Sequence, residues 1–133
     1  LEVDPHHTIE DTAISLGRAL QKALGEKKGM ERYGFELPMD ESRARVLIDL
    51  GGRSYLKWDV RLSGRQIGTV PATLFKHFFR SFSESAACNL HIEASGEDDH
   101  HMIEAVFKAF SRALKMAVAR NNTDTMPSTK GTL

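Results

Sequence analysis

An internal repeat is the sequence feature that most constrains the fold of this chain. The pattern His-His-x-x-Glu occurs twice, as His6-His7 with Glu10 and as His100-His101 with Glu104, at an offset of 94 positions (100 minus 6). Flanking residues repeat at the same offset and pair Ile9 with Ile103, Arg18 with Arg112, Ala19 with Ala113, Leu20 with Leu114 and Ala23 with Ala117. Agreement at both polar and apolar positions favours an internal duplication over chance.

Both copies of the motif have the periodicity of an amphipathic helix. Apolar residues recur at steps of three and four from Ile9 to Leu24, and Gly25 follows as an end signal. The second copy repeats this pattern from Ile103 to Val118. We therefore predict that each motif lies at the start of a helix.

Further elements are predicted between the two motifs. Alternating or apolar runs favour strands over 43–50 and 55–62, joined as a hairpin by Gly51-Gly52, then a helix over 72–87 and a strand over 89–94. The order strand, strand, helix, strand, helix predicts one α+β unit. This pattern is the basis for the predicted fold class.

The chain divides by this pattern into three predicted segments. Residues 1–33 hold the last strand (1–3) and last helix of a first α+β unit with a linker, 34–120 form the second unit, and 121–133 form a polar surface tail. Because half a unit leaves a sheet edge uncovered, we expect roughly sixty further residues of the first unit ahead of Leu1.

Charge and cysteine content exclude several classes of protein. The 18 Lys and Arg residues cancel the 18 Asp and Glu residues, so no global field draws the chain to nucleic acid or to an acidic membrane. The apolar stretches are short and interrupted by charge, which excludes a transmembrane span. Cys88 is the single cysteine and no signal-peptide pattern is visible, so we expect a reducing, cytoplasmic location.

The repeated motifs are candidate metal sites. Residues three or four apart share a helix face, so Glu10 can join either His6 or His7 around one ion, and the second copy has the same spacing. Neighbouring histidines point about 100° apart, so we expect each to serve a different ion. Imidazoles with carboxylates suit Mn, Fe, Co or Zn. A lone histidine pair at a helix start is ordinarily a surface feature, but the repetition favours metal binding.

Other polar residues near the motifs have two interpretations each. Four aspartates either orient ligands or stabilise helix N-termini, namely Asp4, Asp11, Asp98 and Asp99. His91 alternates with apolar neighbours on a predicted strand and is either a solvent-facing residue or a further ligand. His77 lies within an aromatic helix and is interpreted as structural.

Hydroxyl groups and cations near the end of the chain suit a phosphate group. The run Pro127-Ser128-Thr129-Lys130-Gly131 combines hydroxyls, an ammonium group and a glycine, although such tails are commonly just flexible. Three more residues are candidates to add positive charge there, namely Arg32, Arg53 and Lys108. Asp40-Glu41 is a carboxylate pair in a predicted turn.

These residues together resemble imidazoleglycerol-phosphate dehydratase. The matching signatures are HHTIEDT at 6–12, PMDE at 38–41, NLH at 89–91, DHHMIEAVFKA at 99–109 and PSTKG at 127–131. They run along nearly the whole chain in the family's order. The family's N-terminal segment, whose Asp-His-Met motif supplies another metal histidine, has no counterpart in this sequence.

The resemblance implies two α+β units of the ribosomal S5 domain 2-like class, each a four-stranded sheet backed by helices. It also implies trimers, which metal ions join into a shell of about twenty-four chains. Each active site is implied to contain two Mn²⁺ ions, and each ion is bound by three histidines and a glutamate. The ligands carried over are His6, His7, Glu10, His91, His100, His101 and Glu104. The residues at phosphate-binding positions are Arg32, Arg53, Lys108, Ser128 and Lys130.

The implied reaction is the loss of water from imidazole glycerol phosphate, a small-molecule phosphate, to give imidazole acetol phosphate. Glu10 is the first candidate for the general base and Glu104 the second. Two rival functions stay open, namely a dimetal phosphatase or hydrolase and a metal-assembled oligomer without turnover. The three differ in product, which is a ketone, inorganic phosphate or nothing.

Overall fold

The computed structural model describes residues 4–32 and 36–131 as an α+β fold. Its elements are α1 (Pro5–Leu24), β1 (Glu36–Met39), β2 (Ser42–Asp49), β3 (Tyr55–Val60), β4 (Gln66–Ile67), β5 (Val70–Pro71), α2 (Thr73–Ala86), β6 (Asn89–Ser95) and α3 (Asp99–Ala117). The predicted helices and later strands are confirmed to within a few residues. Strand β1 and the short β4–β5 hairpin are additional, and the strand predicted at 1–3 lies outside the described residues.

The main sheet has the strand order β1-β2-β6-β3. Strand β2 pairs antiparallel with β6, whereas β3 pairs parallel with β6. The hairpin predicted at Gly51-Gly52 is therefore wrong, because β6 lies between the two strands that the glycines connect. The parallel pairing also explains α2, since parallel neighbours need a long crossover connection.

One face of the sheet forms the core with α2 and α3. Along β2 the side chains of Ala44, Val46 and Ile48 are buried, while the alternating side chains between them are exposed. Phenylalanines fill the space between α2 and α3. The ring centroids of Phe79 on α2 and Phe107 on α3 are 5.1 Å apart. Such close aromatic packing fixes how the two helices lie on the sheet.

Helix α1 packs closely on α2 at Gly17. A Cβ atom placed at Gly17 would lie 2.0 Å from Ser85 Oγ and 2.9 Å from the Ala86 nitrogen. Only a residue without a side chain permits this approach. The contact sets the position of α1, and with it the position of the first His-His motif, relative to α2.

The segment after α1 is bound to the tail that follows α3. Met30 forms an isolated antiparallel bridge with Arg120, and the Gly29 nitrogen donates to the Thr125 carbonyl oxygen at 2.9 Å. The Arg120 guanidinium also donates to the Leu24 carbonyl oxygen at 2.5 Å. Most residues of the tail from 121 to 131 are exposed, as expected of a polar segment, but its backbone is hydrogen-bonded along the linker.

Candidate metal centre

The first His-His motif lies in the opening turn of α1. The Asp4 side chain caps the helix by accepting a hydrogen bond from the His6 nitrogen at 2.9 Å, and Pro5 occupies the first turn. Asp4 therefore has the helix-capping role that was one of its two interpretations. Since His6 and Glu10 are four residues apart, they lie on the same face of α1.

A residue of α2 completes a cluster with these two side chains. One potential ligand atom from each of His6, Glu10 and His77 lies within 4.8 Å of the other two. The His77 Nε2 atom is 3.3 Å from Glu10 Oε1, and the rings of His6 and His77 are 4.5 Å apart between centroids. We call these three residues the first cluster.

The first cluster has the chemistry of a metal site. The His77 Nε2 atom is buried and makes no hydrogen bond, although the Glu10 carboxylate lies 3.3 Å from it, so an ion bound between the two groups would satisfy both. Two imidazole nitrogens and a carboxylate suit a borderline divalent ion such as Mn or Zn. His7 is not part of this cluster, as expected for the neighbour of His6, and its side chain is 65% exposed.

The interpretation of His77 as purely structural therefore missed a candidate ligand. Its signal in the sequence is weak, because α2 is rich in aromatic residues and a lone histidine among them gives no motif. A better signal is spacing, since His77 and Ser85 are eight positions apart, about two helical turns, and both contact α1. Gly17 of α1 lies against Ser85 of α2, and a residue two helical turns from Ser85, such as His77, therefore also faces α1.

His91 lies away from the first cluster. It sits on β6 between Leu90 and Ile92, which are fully buried under the helices, so its side chain points to the opposite face of the sheet. There its ring is 5.9 Å from that of Tyr55, between centroids. Within one chain His91 therefore lies apart from the first cluster, because the pleat of the strand directs its side chain to the other face of the sheet, and its assignment as a metal ligand stays a prediction.

The second motif lies at the start of α3, as predicted. Asp98 caps this helix by accepting a hydrogen bond from the His101 nitrogen at 2.9 Å, which matches the role of Asp4. His100 Nε2 lies 3.5 Å from Glu104 Oε2. His101 Nδ1 lies 2.9 Å from Glu41 Oε2, a carboxylate of the β1–β2 turn.

Hydrogen bonds shift the pKa values of groups around the second motif. The hydrogen bond from Lys108 lowers the pKa of Glu104, and the two side chains approach to 2.7 Å. The hydrogen bond between His101 and Glu41 lowers the pKa of Glu41 to about 2 and raises that of His101. Charged carboxylates therefore lie beside the second motif.

Asp99 stabilises a loop at this end of the molecule. Its carboxylate accepts hydrogen bonds from the nitrogens of Ser63 and Gly64, at 3.0 and 2.7 Å, and the Ser63 nitrogen is the main cause of its lowered pKa. Binding of this loop is a role that neither of the two interpretations of Asp99 included.

The two motifs lie on different parts of the fold. Helix α1 packs mainly on α2, whereas α3 packs on β1, β2 and β6. Within residues 4–32 and 36–131, the first cluster is the one group of three potential ligands close enough to hold an ion. The histidines and the glutamate of the second motif form no such group among these residues.

Most residues with predicted phosphate contacts gather near the end of β2. Arg32 forms an ion pair with Asp49, the last residue of β2, and its guanidinium donates to the Pro127 carbonyl oxygen at 2.9 Å. In the tail, Ser128 Oγ accepts a hydrogen bond from the Lys130 nitrogen at 3.2 Å. Arg53 is exposed in the loop after β2, and its carbonyl oxygen accepts from Asn89.

Lys108 is the exception among these residues, because it lies next to the second motif. Its ammonium group contacts Glu104 at 2.7 Å and the Met39 sulfur at 2.9 Å. The structure therefore places Lys108 beside a metal motif, Arg53 in the loop after β2, and the other three residues in or against the tail.

The fold and the first cluster define an α+β protein whose helices carry histidine and glutamate side chains grouped closely enough to hold a divalent metal ion. No helix in the described part of the chain is long and apolar enough to cross a membrane. The family of imidazoleglycerol-phosphate dehydratase matches residues 1–114. The chain therefore belongs to this family, in agreement with the resemblance of its motifs.

Curated relatives and solved structures agree with this assignment. "Histidine biosynthesis bifunctional protein HisB" of Spirosoma linguale is 56% identical over all of this chain and 35% of its own length, and that of Bacteroides fragilis is 53% identical over 36% of its length. The chain spans about a third of the length of these relatives.

Two solved structures share the fold. Imidazoleglycerol-phosphate dehydratase from Staphylococcus aureus is 42% identical, with a TM-score of 0.86 over 90% of this chain and 71% of that chain. The Pyrococcus furiosus enzyme in complex with (S)-C348 is 34% identical, with a TM-score of 0.85 over 96% of this chain and 71% of that chain.

Proposed function

We propose that this chain is the metal-binding part of a hydro-lyase that converts imidazole glycerol phosphate to imidazole acetol phosphate in histidine biosynthesis. The observation that carries the proposal is the first cluster, in which the buried Nε2 atom of His77 makes no hydrogen bond and lies 3.3 Å from Glu10 Oε1, with His6 beside both. Family membership supplies the substrate and the reaction. The buried, unpaired thiol of Cys88 suits the cytoplasm, which is the location we propose.

The proposed cofactor is a pair of Mn²⁺ ions per active site. His6, Glu10 and His77 would hold one ion, and His7 with the three residues of the second motif would contribute to the sites in the assembled protein. His77 is added to this ligand set because it lies beside His6 and Glu10 in the same chain, and His91 stays a proposed ligand for a site that neighbouring chains complete. A bound metal ion would supply Lewis-acid polarisation and orient the imidazole ring of the substrate.

Glu10 is the proposed general base that removes a carbon-bound proton next to the departing hydroxyl group. Glu104 is less suited to this role, because the ammonium group of Lys108 lowers its pKa and so weakens it as a base. Glu10 lies at the first cluster instead, with its Oε1 atom 3.3 Å from His77 Nε2. Its carboxylate is therefore placed beside the proposed metal ion.

The phosphate group of the substrate is proposed to bind at the tail. Arg32 holds Pro127 against the end of β2, and the following turn carries Ser128 and Lys130. Charge-assisted hydrogen bonds from Lys130 and Arg53 would fix the phosphate at a distance from the reacting carbons. Binding energy at this end of the substrate positions the ring at the metals.

We propose that each complete site is formed between subunits. The two motifs of one chain lie on separate parts of the fold, so ligands from neighbouring chains would have to meet around shared ions. Metal and assembly should then be coupled, with trimers joined into a shell of about twenty-four subunits. Light scattering before and after EDTA treatment tests this, and an unchanged particle mass after verified metal removal contradicts it.

The activity is tested by incubating the intact protein with imidazole glycerol phosphate and Mn²⁺. Formation of the ketone supports the proposal, whereas release of inorganic phosphate indicates a phosphatase and no product indicates an assembly role. The Glu10→Gln variant then separates two roles, because an amide oxygen can still bind a metal but cannot accept the proton. Turnover should fall much further than metal content, and equal losses would mean that Glu10 is only a ligand.

A further inference from the structure

The tip of the β1–β2 hairpin reaches the second motif. Met39 and Ser42 are paired across the hairpin, so Asp40 and Glu41 form a two-residue turn. Asp40 has a φ of 48°, a left-handed conformation that aspartate tolerates better than most residues. This turn brings Glu41 Oε2 to 2.9 Å from His101 Nδ1.

The Glu41 carboxylate is itself held in place. Its Oε1 atom accepts hydrogen bonds from Ser42 Oγ at 2.9 Å and from the Asp98 nitrogen at 3.2 Å. Asp98 in turn caps α3 by accepting from the His101 nitrogen at 2.9 Å. The turn, the cap and the imidazole therefore form a closed ring of hydrogen bonds, in which Glu41 contacts both the backbone and the side chain at the helix start.

Close backbone packing maintains this ring. Gly96 lies in the connection between β6 and α3, where a Cβ atom would be 1.9 Å from Ser42 Oγ and 2.8 Å from Ser42 Cβ. The glycine allows the start of α3 to lie directly against the hairpin. The contact between Glu41 and His101 thus depends on packing rather than on a mobile surface side chain.

The chemistry of a metal-binding histidine explains what this contact does. A neutral imidazole carries a proton on one nitrogen and a lone pair on the other. A carboxylate that accepts a hydrogen bond from Nδ1 holds the proton there, orients the ring and leaves the Nε2 lone pair for a metal. His7, which occupies the position of His101 in the first copy, has a looser partner, since its Nδ1 is 4.0 Å from Asp4 Oδ2.

We propose that Glu41 is a positioning residue that sets the tautomer and orientation of His101 for metal binding. This inference rests on the proposed role of His101 as a ligand. Glu41 acts through the imidazole and is not a ligand or a base itself. The simplest interpretation of the Asp40-Glu41 pair is an ordinary solvated turn. The proposal assigns a function to Glu41 in addition.

Glu41→Gln is the variant that tests the proposal. Glutamine has one acceptor oxygen where glutamate has two, so it cannot accept from His101 and from the Asp98 nitrogen in the same way. An amide NH₂ facing His101 donates to Nδ1 and moves the imidazole proton to Nε2. Asp40→Asn is the matched control, because it removes an equal charge from the same turn and keeps a residue that tolerates the left-handed conformation.

The first measurement is the tautomer of His101 in the metal-free protein. Long-range ¹H–¹⁵N spectra at alkaline pH, assigned with His101→Gln, should show the Nδ1-protonated form in the unchanged protein and in Asp40→Asn. Glu41→Gln should shift the population towards the Nε2-protonated form. An unchanged tautomer in folded Glu41→Gln overturns the proposal, and this result does not depend on any metal.

The second measurement is the Mn²⁺ affinity, by competition with a chelator. Glu41→Gln should weaken binding by about tenfold to a hundredfold, the effect typical of losing a partner behind a metal ligand. Adding Glu41→Gln to His101→Ala should have no further effect, because Glu41 then has no ring to position. If His101→Ala alone does not weaken binding, the ligand role in the proposed function fails. If His101→Ala weakens Mn²⁺ binding but Glu41→Gln does not, the ligand role of His101 stands and the positioning role of Glu41 fails.

Discussion

The substitution Gly17→Ala tests the packing that sets the first cluster. Alanine in the middle of a helix is more stable than glycine by roughly 0.5–1 kcal/mol when nothing else changes. Here the added Cβ would lie 2.0 Å from Ser85 Oγ, 2.9 Å from the Ala86 nitrogen and 3.0 Å from the Phe82 oxygen. The Ser85 side chain can rotate away, but the other two atoms belong to the backbone of α2.

The two effects have opposite signs, and the steric effect should be larger. Overpacking of a close contact costs about 1–3 kcal/mol, and two immovable backbone atoms place Gly17→Ala in the upper part of that range. After the helix gain is subtracted, we expect a net loss of about 1–2 kcal/mol in the free energy of unfolding. For a chain of this size that lowers Tm by roughly 3–7 °C.

Thermal and urea unfolding of the metal-free protein measure this effect. Ser15→Ala is the matched control, because Ser15 is exposed on α1 and the substitution changes only helix propensity. Ser85→Ala combined with Gly17→Ala should recover part of the loss, since the nearest clash is removed. The displacement of α1 should also weaken Mn²⁺ binding at the first cluster. A Tm that rises for Gly17→Ala as it does for Ser15→Ala would refute the reasoning.

Three further predictions concern the sites. His77→Ala should weaken Mn²⁺ binding by more than about tenfold in equilibrium dialysis, while Ser15→Ala, at an exposed position of α1, should leave it unchanged, and equal losses would contradict the assignment. Lys130→Ala should keep the metal content and raise KM by about tenfold to a hundredfold, the value of a charge-assisted phosphate contact; an unchanged KM would exclude that contact. In the metal-free protein, the Glu41–His101 pair should stabilise the fold most between its ordinary pKa values of 4.5 and 6.5. The contribution of Glu41 is lost as the pH falls towards its lowered pKa of about 2, and that of His101 as the pH rises through its raised pKa. The difference in Tm between the unchanged protein and Glu41→Gln, followed against pH, should have its maximum in this window, and a flat profile would count against the pair.

The helices and their starts could be predicted from the sequence because their causes are local. Asp4 and Asp98 cap helices within three residues of themselves, and Gly25 follows the last residue of α1. Spacing of three and four residues identified the buried face of α3 and placed Glu10 on the same face as His6. On α1 the same spacing was right in part, since Ala13 and Leu24 are buried but Leu16 is exposed. These are interactions within one or two helical turns, so the order of residues along the chain determines them.

Strand pairing could not be predicted in the same way. The Gly51-Gly52 turn favoured a hairpin, but β6 pairs with both neighbouring strands instead. Strand β6 presents Leu90 and Ile92, both fully buried, and so takes the central position. A strand's partner is a property of the whole sheet, because every candidate strand competes for the same backbone hydrogen bonds.

The candidate site shows the same division. The sequence by itself determined that two histidine-glutamate motifs begin helices, since their spacing and caps lie within each helix. Only the tertiary structure brought His77 to the first cluster and turned His91 to the opposite face of the sheet, because each is a lone histidine whose direction depends on which face its element buries. The tertiary structure also brought the Glu41 carboxylate within hydrogen-bond distance of His101, although the two residues belong to elements far apart in sequence. Contacts of this kind form only when the packing of the elements is set, and the residues around either partner carry no local trace of them.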